Sequence, residues 1–295
     1  MFGRVKRLIG ESRVRHSEQI RELHEIAARS NDFVHQIHLV KDQTTQAKWG
    51  LTGRRTANPL NTPARKYWSQ SDEDGIVENI VKRLPGKSPQ TFAEIGVGDG
   101  TENNSLVLLA HGWEGLWFGG EDICFTPEPD GRLTFHKVWV SLDKLGDVIS
   151  PLRAFADKNG LGLLSIDLDG NDYHFLQEIL SSGIQPDVLI VEYNARIPPG
   201  VEWVMPYNAE HVWAGSDYFG MSLSSAFELA ARFGYFPVAT SAQGANVFFV
   251  HERHRKLFSD VPTGVHELYM PPDYTLITRW GHLPSAEMLR DLTKR

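Results

Sequence analysis

The chain has 295 residues, 41% of them hydrophobic and 23% charged, with a formal net charge of −7. That composition can bury a large core and excludes wholly disordered, collagen-like and mucin-like chains. No apolar run approaches the ~18–20 residues of a membrane helix, residues 1–10 lack the apolar stretch of a secretory leader, and the single Cys124 rules out an intrachain disulfide or a cysteine-based zinc site, so a cytoplasmic protein without transmembrane segment is expected.

Charge is unevenly spread. Met1 to Lys66 carries 13 Lys/Arg against 6 Asp/Glu, and the remainder 17 against 31. An acidic body argues against nucleic acid as a partner, since neutralising phosphates dominates that affinity. The basic arm reads as a solvated helix face rather than a lipid-binding surface.

In chain order, Ile20, Leu23, Ala27, Val34 and Ile37 have a rough helical period. A turn-rich stretch with Pro59 and Pro63 follows, then a helix over SDEDGIVENIVKRL that stops at Pro85-Gly86. Acids in its first turn suit the positive end of the helix dipole. Residues 1–90 thus form a helical N-terminal extension. From Thr91 short apolar runs (TFAEIG, GLWFGG, LTFHKVWV, GLLSID, DVLIVEY) alternate with helical stretches. That alternation predicts a parallel sheet wound by right-handed crossovers. After an aromatic segment at 194–220, Leu223, Ala226, Phe227 and Ala230 mark another helix. Two last strands, YFPVATS and NVFFVHE, are separated by only four residues, too few for a crossover, so they form an antiparallel hairpin. Residues 91–250 are the expected main domain, with 194–220 as a substrate-covering insert, and 251–295 a C-terminal wrap.

The most informative run is Glu94-Ile-Gly96-Val-Gly98-Asp-Gly100, at the end of the first strand and before a helix. Glycines there let the backbone turn sharply and approach a ligand. A dinucleotide loop wants a third glycine three residues after Gly98, where Thr101 stands. The pattern resembles the first motif of class I S-adenosylmethionine-dependent methyltransferases. That resemblance implies Glu94, Gly96, Gly98 and Gly100 as cofactor-binding residues. A ribose-binding acid is expected ~20 residues on, at the end of the next strand, where Glu121 and then Asp122 stand.

Further along, VSLDKL, LLSIDLDGNDYHFLQEI and DVLIVEYN are similar to FkbM-type methyltransferases at Leu142, Asp143, Leu145, Ile166, Asp167, Gly170 and Glu192. Asp169 stands where that family has Glu, and Asn171-Asp172 also departs from its pattern. The resemblance spans about residues 91–250. It implies an α/β, Rossmann-like class I methyltransferase sheet, mostly parallel and seven-stranded, with the last hairpin antiparallel.

Carboxylates at the carboxyl edge of such a sheet have two uses. Asp167, next to the cofactor, or Asp169 could take a hydroxyl proton. Alternatively Asp167, Asp169 and Glu192 could hold Mg²⁺, which favours oxygen ligands. The bland reading makes Asp169 to Asp172 a turn and helix cap. Among His136, His174 and His211, His174 lies just after that turn and is a candidate catalytic residue. The pairs His35/His38 and His251/His254 lack a third ligand. Trp203, Tyr207, Trp213 and Tyr218 are candidate substrate contacts, stacking on a sugar or polyketide-like ring. Gly86-Lys87-Ser88 is not a phosphate loop, because Val81 occupies the place of its first glycine.

The expectation is therefore a methyltransferase acting on the hydroxyl of a sugar, polysaccharide or secondary metabolite, with a homo-oligomer formed through the N-terminal helix as a further option. The rival readings are a nicotinamide-dependent oxidoreductase and a non-catalytic binding or assembly protein.

Overall fold

The computed structural model describes residues 57–129, 131–213 and 216–273, with nine further residues at 29, 30, 33, 36, 37, 40, 44, 47 and 293. Most of the expected N-terminal helix, and residues 274–292, 294 and 295 of the expected C-terminal wrap, lie outside the described residues.

Seven strands form one sheet: β1 (Thr91–Ile95), β2 (Glu114–Gly119), β3 (Leu133–Lys137), β4 (Leu163–Ile166), β5 (Val188–Glu192), β6 (Tyr235–Thr240) and β7 (Asn246–His251). Their order is β3-β2-β1-β4-β5-β7-β6. β1 to β5 pair in parallel, and β7 runs antiparallel to both β5 and β6. The sheet is mostly parallel, seven-stranded and Rossmann-like, as expected, and the short 241–245 connection closes the expected antiparallel hairpin. One detail exceeds the sequence reading: the last strand does not add at the edge but inserts between β5 and β6. The run LTFHKVWV also leaves the sheet earlier than expected, after Lys137.

Six α-helices belong to the described fold: α1 (Glu73–Val81), α2 (Leu106–Ala110), α3 (Leu145–Asn159), α4 (Asp172–Ser181), α5 (Leu223–Arg232) and α6 (Val265–Leu268). A strand sends alternate side chains to opposite faces, and covering both faces makes the strands continuous apolar runs. Phe92, Leu163, Val188, Ile190, Phe248 and Val250 pack with Ile76, Val77 and Ile80 of α1 and with Leu106 to Leu109 of α2. Ala93, Ile95, Leu164, Ile166, Leu189, Val191, Val247 and Phe249 pack on the other face with α3, α4 and α5. Ser222 caps α5, its hydroxyl accepting the Ser225 amide at 3.1 Å.

The segment before α1 is tied to the far edge of the sheet. Asn58 donates its side-chain amide to the Val238 carbonyl at 2.8 Å and Asn61 to that of Thr240 at 3.0 Å. At the start of α1, Asp72 accepts the Ala242 amide at 2.7 Å. These bonds carry residues 69–73 to the carboxyl edge of the sheet, beside the β6–β7 turn.

Candidate active site

Strand order reverses between β1 and β4, and open α/β sheets hold ligands at such a point, outside the carboxyl ends of the strands. An open cavity of about 610 Å³ lies there. The loops after β1, β2 and β4 line it, joined by Trp139 and Val140 after β3 and by residues 209–213 of the cover segment.

The three glycines of the first loop divide the work. Gly96 has φ +92°, and a Cβ there would lie 1.6 Å from the Asp167 carbonyl oxygen, so this glycine serves the contact between the ends of β1 and β4. Gly100, at φ +84°, faces the Trp117 ring at 3.2 Å. Gly98 has φ +53° and open space where a Cβ would stand. Of the three, only Gly98 has open space beside its backbone, and it lines the cavity.

Glu94 is 2% exposed. It accepts the amides of Asn104 and Ser105, each at 3.0 Å, and the Ser105 hydroxyl. Trp117 Nε1 donates to the same hydroxyl at 2.9 Å. Burial pushes the Glu94 carboxyl upward against those hydrogen bonds. Its oxygens hold the exit of the glycine loop at the start of α2. At the end of β2, Glu121 faces the cavity, whereas exposed Asp122 pairs with Lys137 at 2.5 Å.

The β4–α4 loop is shaped by Asp172, which accepts the Leu168 amide at 2.8 Å and the Gly170 amide at 3.0 Å. Burial raises its pKa to about 6. Asn171 holds the N-cap position of α4 without a side-chain cap bond and joins Asn208 of the cover segment instead, at 2.8 and 3.2 Å. The turn so made sets Asp169 at φ +53°. Asp167, Asp169 and Glu192 each place a carboxylate oxygen within 4.8 Å of the others. Burial, then the neighbouring charges of Asp172, Asp169 and Glu94, drive Asp167 well above the usual carboxylate range, and burial with Asp167 beside it does the same to Glu192. The three acids singled out in the sequence thus converge.

Other expected residues do not meet them. His174 is turned to the cover segment, its Nε2 2.8 Å from the Met205 carbonyl and its ring against Tyr207; it pins the cover rather than lining the cavity. His211 lines the cavity in its stead, with Nε2 3.0 Å from the Asp169 carbonyl. Among the four aromatic candidates, Trp213 lines the cavity and is half exposed. Tyr207 accepts the Leu142 amide at 2.8 Å, and Trp203 packs edge-on against Tyr218 at 5.7 Å between ring centres. These three anchor the cover.

Trp139, Gln70 and Asn246 also line the cavity, and the sequence reading passed over all three. Trp139 was hidden by treating LTFHKVWV as one strand. Asn246 carried a partial signal: an antiparallel last strand begins at the carboxyl edge of its parallel neighbours, which brings its polar first residue to that edge, and the β5–β7 pairing then sets it opposite Glu192.

No family model matches the chain, and no curated protein is significantly similar to it. A solved structure described as a ribosomal RNA methyltransferase from Plasmodium falciparum aligns with 68% of this chain and 99% of its own, at 12% identity and a TM-score of 0.37. At that distance the likeness carries no argument about activity or substrate. The FkbM-type resemblance rests on the residues quoted for it alone. No helix among the described residues is long and apolar enough to cross a membrane.

Proposed function

We propose that this protein is an S-adenosylmethionine-dependent methyltransferase that methylates a hydroxyl group. The observation carrying this reading is Gly98: a left-handed backbone position, open to the cavity, between β1 and α2 at the point where the sheet reverses order. The residues present fit the cofactor. Bare backbone at Gly98 would take its amino-acid end, and Glu121, at the end of β2, would accept from the ribose hydroxyls. Bound there, the cofactor supplies an electrophilic methyl group. Transfer would form an oxygen–carbon bond as the sulfonium–carbon bond broke, and the acceptor's hydroxyl proton would have to leave.

Asp167 and Asp169 both border the cavity and would take that proton, and burial with neighbouring charges makes Asp167 a stronger base than an ordinary carboxylate. The chain's other contribution is alignment, holding the acceptor oxygen in line with the methyl carbon. Half-exposed Trp139 and Trp213 offer flat apolar faces at the cavity, which suit a sugar ring or the ring of a secondary metabolite better than a small acyclic acceptor. The acidic body of the chain disfavours a nucleic-acid substrate.

Calorimetric titration with S-adenosylhomocysteine, in parallel with NADH, tests the reading. Micromolar binding of the first and none of the second is the expected outcome. NADH binding alone would replace the reading by an oxidoreductase, and binding of neither by a protein that keeps the fold without the chemistry.

A further inference from the structure

We propose that the carboxyl edge carries a divalent-cation site, of the Mg²⁺ or Mn²⁺ class, formed by Asp167, Asp169 and Glu192 with the side-chain oxygen of Asn246, and that Glu73 positions Asn246 for it. The site rests on and deepens the methyltransferase reading: with Asp167 and Asp169 as ligands instead of free bases, the cation would acidify an acceptor hydroxyl bound to it. Cation binding itself is tested separately, since it needs no methyl donor.

Three carboxylate oxygens within 4.8 Å of one another make a cluster, and a cluster alone is only a concentration of charge. What distinguishes this one is its unfilled acceptors. Glu192 Oε2 is shut off from solvent and has no hydrogen-bond partner. Buried polar atoms in native proteins are nearly always satisfied, and one left without a partner asks for a ligand. Beside it in the β5–β7 register stands Asn246, 4% exposed and lining the cavity. Its Oδ1 is likewise buried without a partner.

The orientation of that amide follows from its other end. Asn246 Nδ2 donates to Glu73 Oε1 at 3.3 Å. Flipping the amide would set its oxygen against a carboxylate, so Nδ2 stays on Glu73 and Oδ1 faces away from it. Glu73 is fully buried and is held in turn by the Ser71 amide at 2.6 Å. This chain of contacts runs from the start of α1 to the carboxyl edge of the sheet.

Two orphaned acceptors and two further carboxylates, all oxygen, match a hard divalent cation. A substrate hydroxyl could satisfy one of these oxygens but could not offset several negative charges drawn together. Asp169, on the exposed side, leaves room for water or an acceptor oxygen to complete the shell.

Mn²⁺ titration of the full chain at pH 7.5, with free Mn²⁺ read by electron paramagnetic resonance and Mg²⁺ as competitor, tests this. One saturable Mn²⁺ per chain, displaced by Mg²⁺, is expected. Glu192→Gln and Asp169→Asn should each weaken binding at least tenfold. Asn246→Ala and Glu73→Gln should weaken it several-fold, and Asp147→Asn, an exposed acid on α3, should leave it unchanged. Asp169→Asn alters an exposed side chain, so it remains informative if Glu192→Gln fails to fold. A folded wild-type protein with no saturable Mn²⁺ or Mg²⁺ binding overturns the site, as does binding indifferent to both carboxylate substitutions. Unchanged binding in Asn246→Ala and Glu73→Gln removes their assigned roles. Binding of S-adenosylhomocysteine in metal-free buffer reports on the cofactor reading alone, so the two failures cannot be confused.

Discussion

Gly96 and Gly98 are two residues apart in the same loop, yet alanine at each should fail in opposite ways. At Gly98 the φ of +53° lies in the left-handed region and a Cβ meets nothing within 4 Å. The cost of Gly98→Ala is then the backbone term alone, about 1–2 kcal/mol. For a domain of this size about 1 kcal/mol moves Tm by roughly 2–4 °C, so the variant should melt roughly 2–8 °C below wild type and remain folded at 25 °C. With the cofactor bound against this backbone as proposed, the new methyl group would intrude on it, and affinity for S-adenosylhomocysteine should fall at least tenfold. At Gly96 the same methyl would stand 1.6 Å from the Asp167 carbonyl oxygen and 2.7 Å from its carbon. Relief requires the ends of β1 and β4 to separate, while the Asp167 amide is bonded to the Ile95 carbonyl at 3.0 Å. Gly96→Ala should therefore lose more than about 4 kcal/mol, the upper end for single substitutions. Thermal melts and urea titrations measure the first quantity, and calorimetry with S-adenosylhomocysteine the second. Wild-type affinity in Gly98→Ala would refute the ligand-facing role of that backbone. A Gly96→Ala melt within about 2 °C of wild type would refute the close approach.

Other expectations follow from the same contacts. Glu94→Ala strands the amides of Asn104 and Ser105 and the Ser105 hydroxyl; at about 1–3 kcal/mol for each buried group left unpaired, the loss in urea titration should exceed about 2 kcal/mol, and a smaller one would mean that the α2 start holds itself. Burial, with the charge of Glu73 beside it, raises Asp72 to about 7, so the folded chain keeps a proton that the unfolded chain gives up near pH 4. Stability should accordingly fall as pH rises from about 4 to 7 and level off above. Asp72→Asn, which still accepts the Ala242 amide through its own side-chain oxygen, should flatten that slope in urea titrations at several pH values; an unchanged slope would assign it to other groups. Trp213→Ala removes a half-exposed ring from the cavity and should raise the KM for a ring-bearing acceptor severalfold with little effect on S-adenosylhomocysteine binding; the reverse pattern would move Trp213 to the cofactor.

Much of the fold is written locally. Strands of four to six residues alternate with helices because covering both sheet faces demands apolar runs, and turn chemistry marks their ends. The four-residue link before Asn246 dictates a hairpin, since no crossover fits in it. The glycine loop and the acids Asp167, Asp169 and Glu192 are legible too, because they fall at strand ends, where a parallel sheet collects its functional groups.

What tertiary structure alone decided is which of these atoms meet. Insertion of β7 between β5 and β6 sets Asn246 against Glu192, and no local pattern distinguishes that position from the open edge. The bonds from Asn58, Asn61 and Asp72 to the last hairpin bring Glu73 and Gln70 to the cavity across more than 160 residues of chain. His174 is the third residue of α4, yet the helix turns its ring to Met205, and His211 from a distant loop takes the place beside Asp169. Of three glycines that read alike, one is required by a neighbouring strand, one faces a tryptophan and one is open to the cavity. Periodicity and turn preference are properties of a few adjacent residues, whereas the convergence of side chains depends on register, strand order and how the chain returns to the sheet.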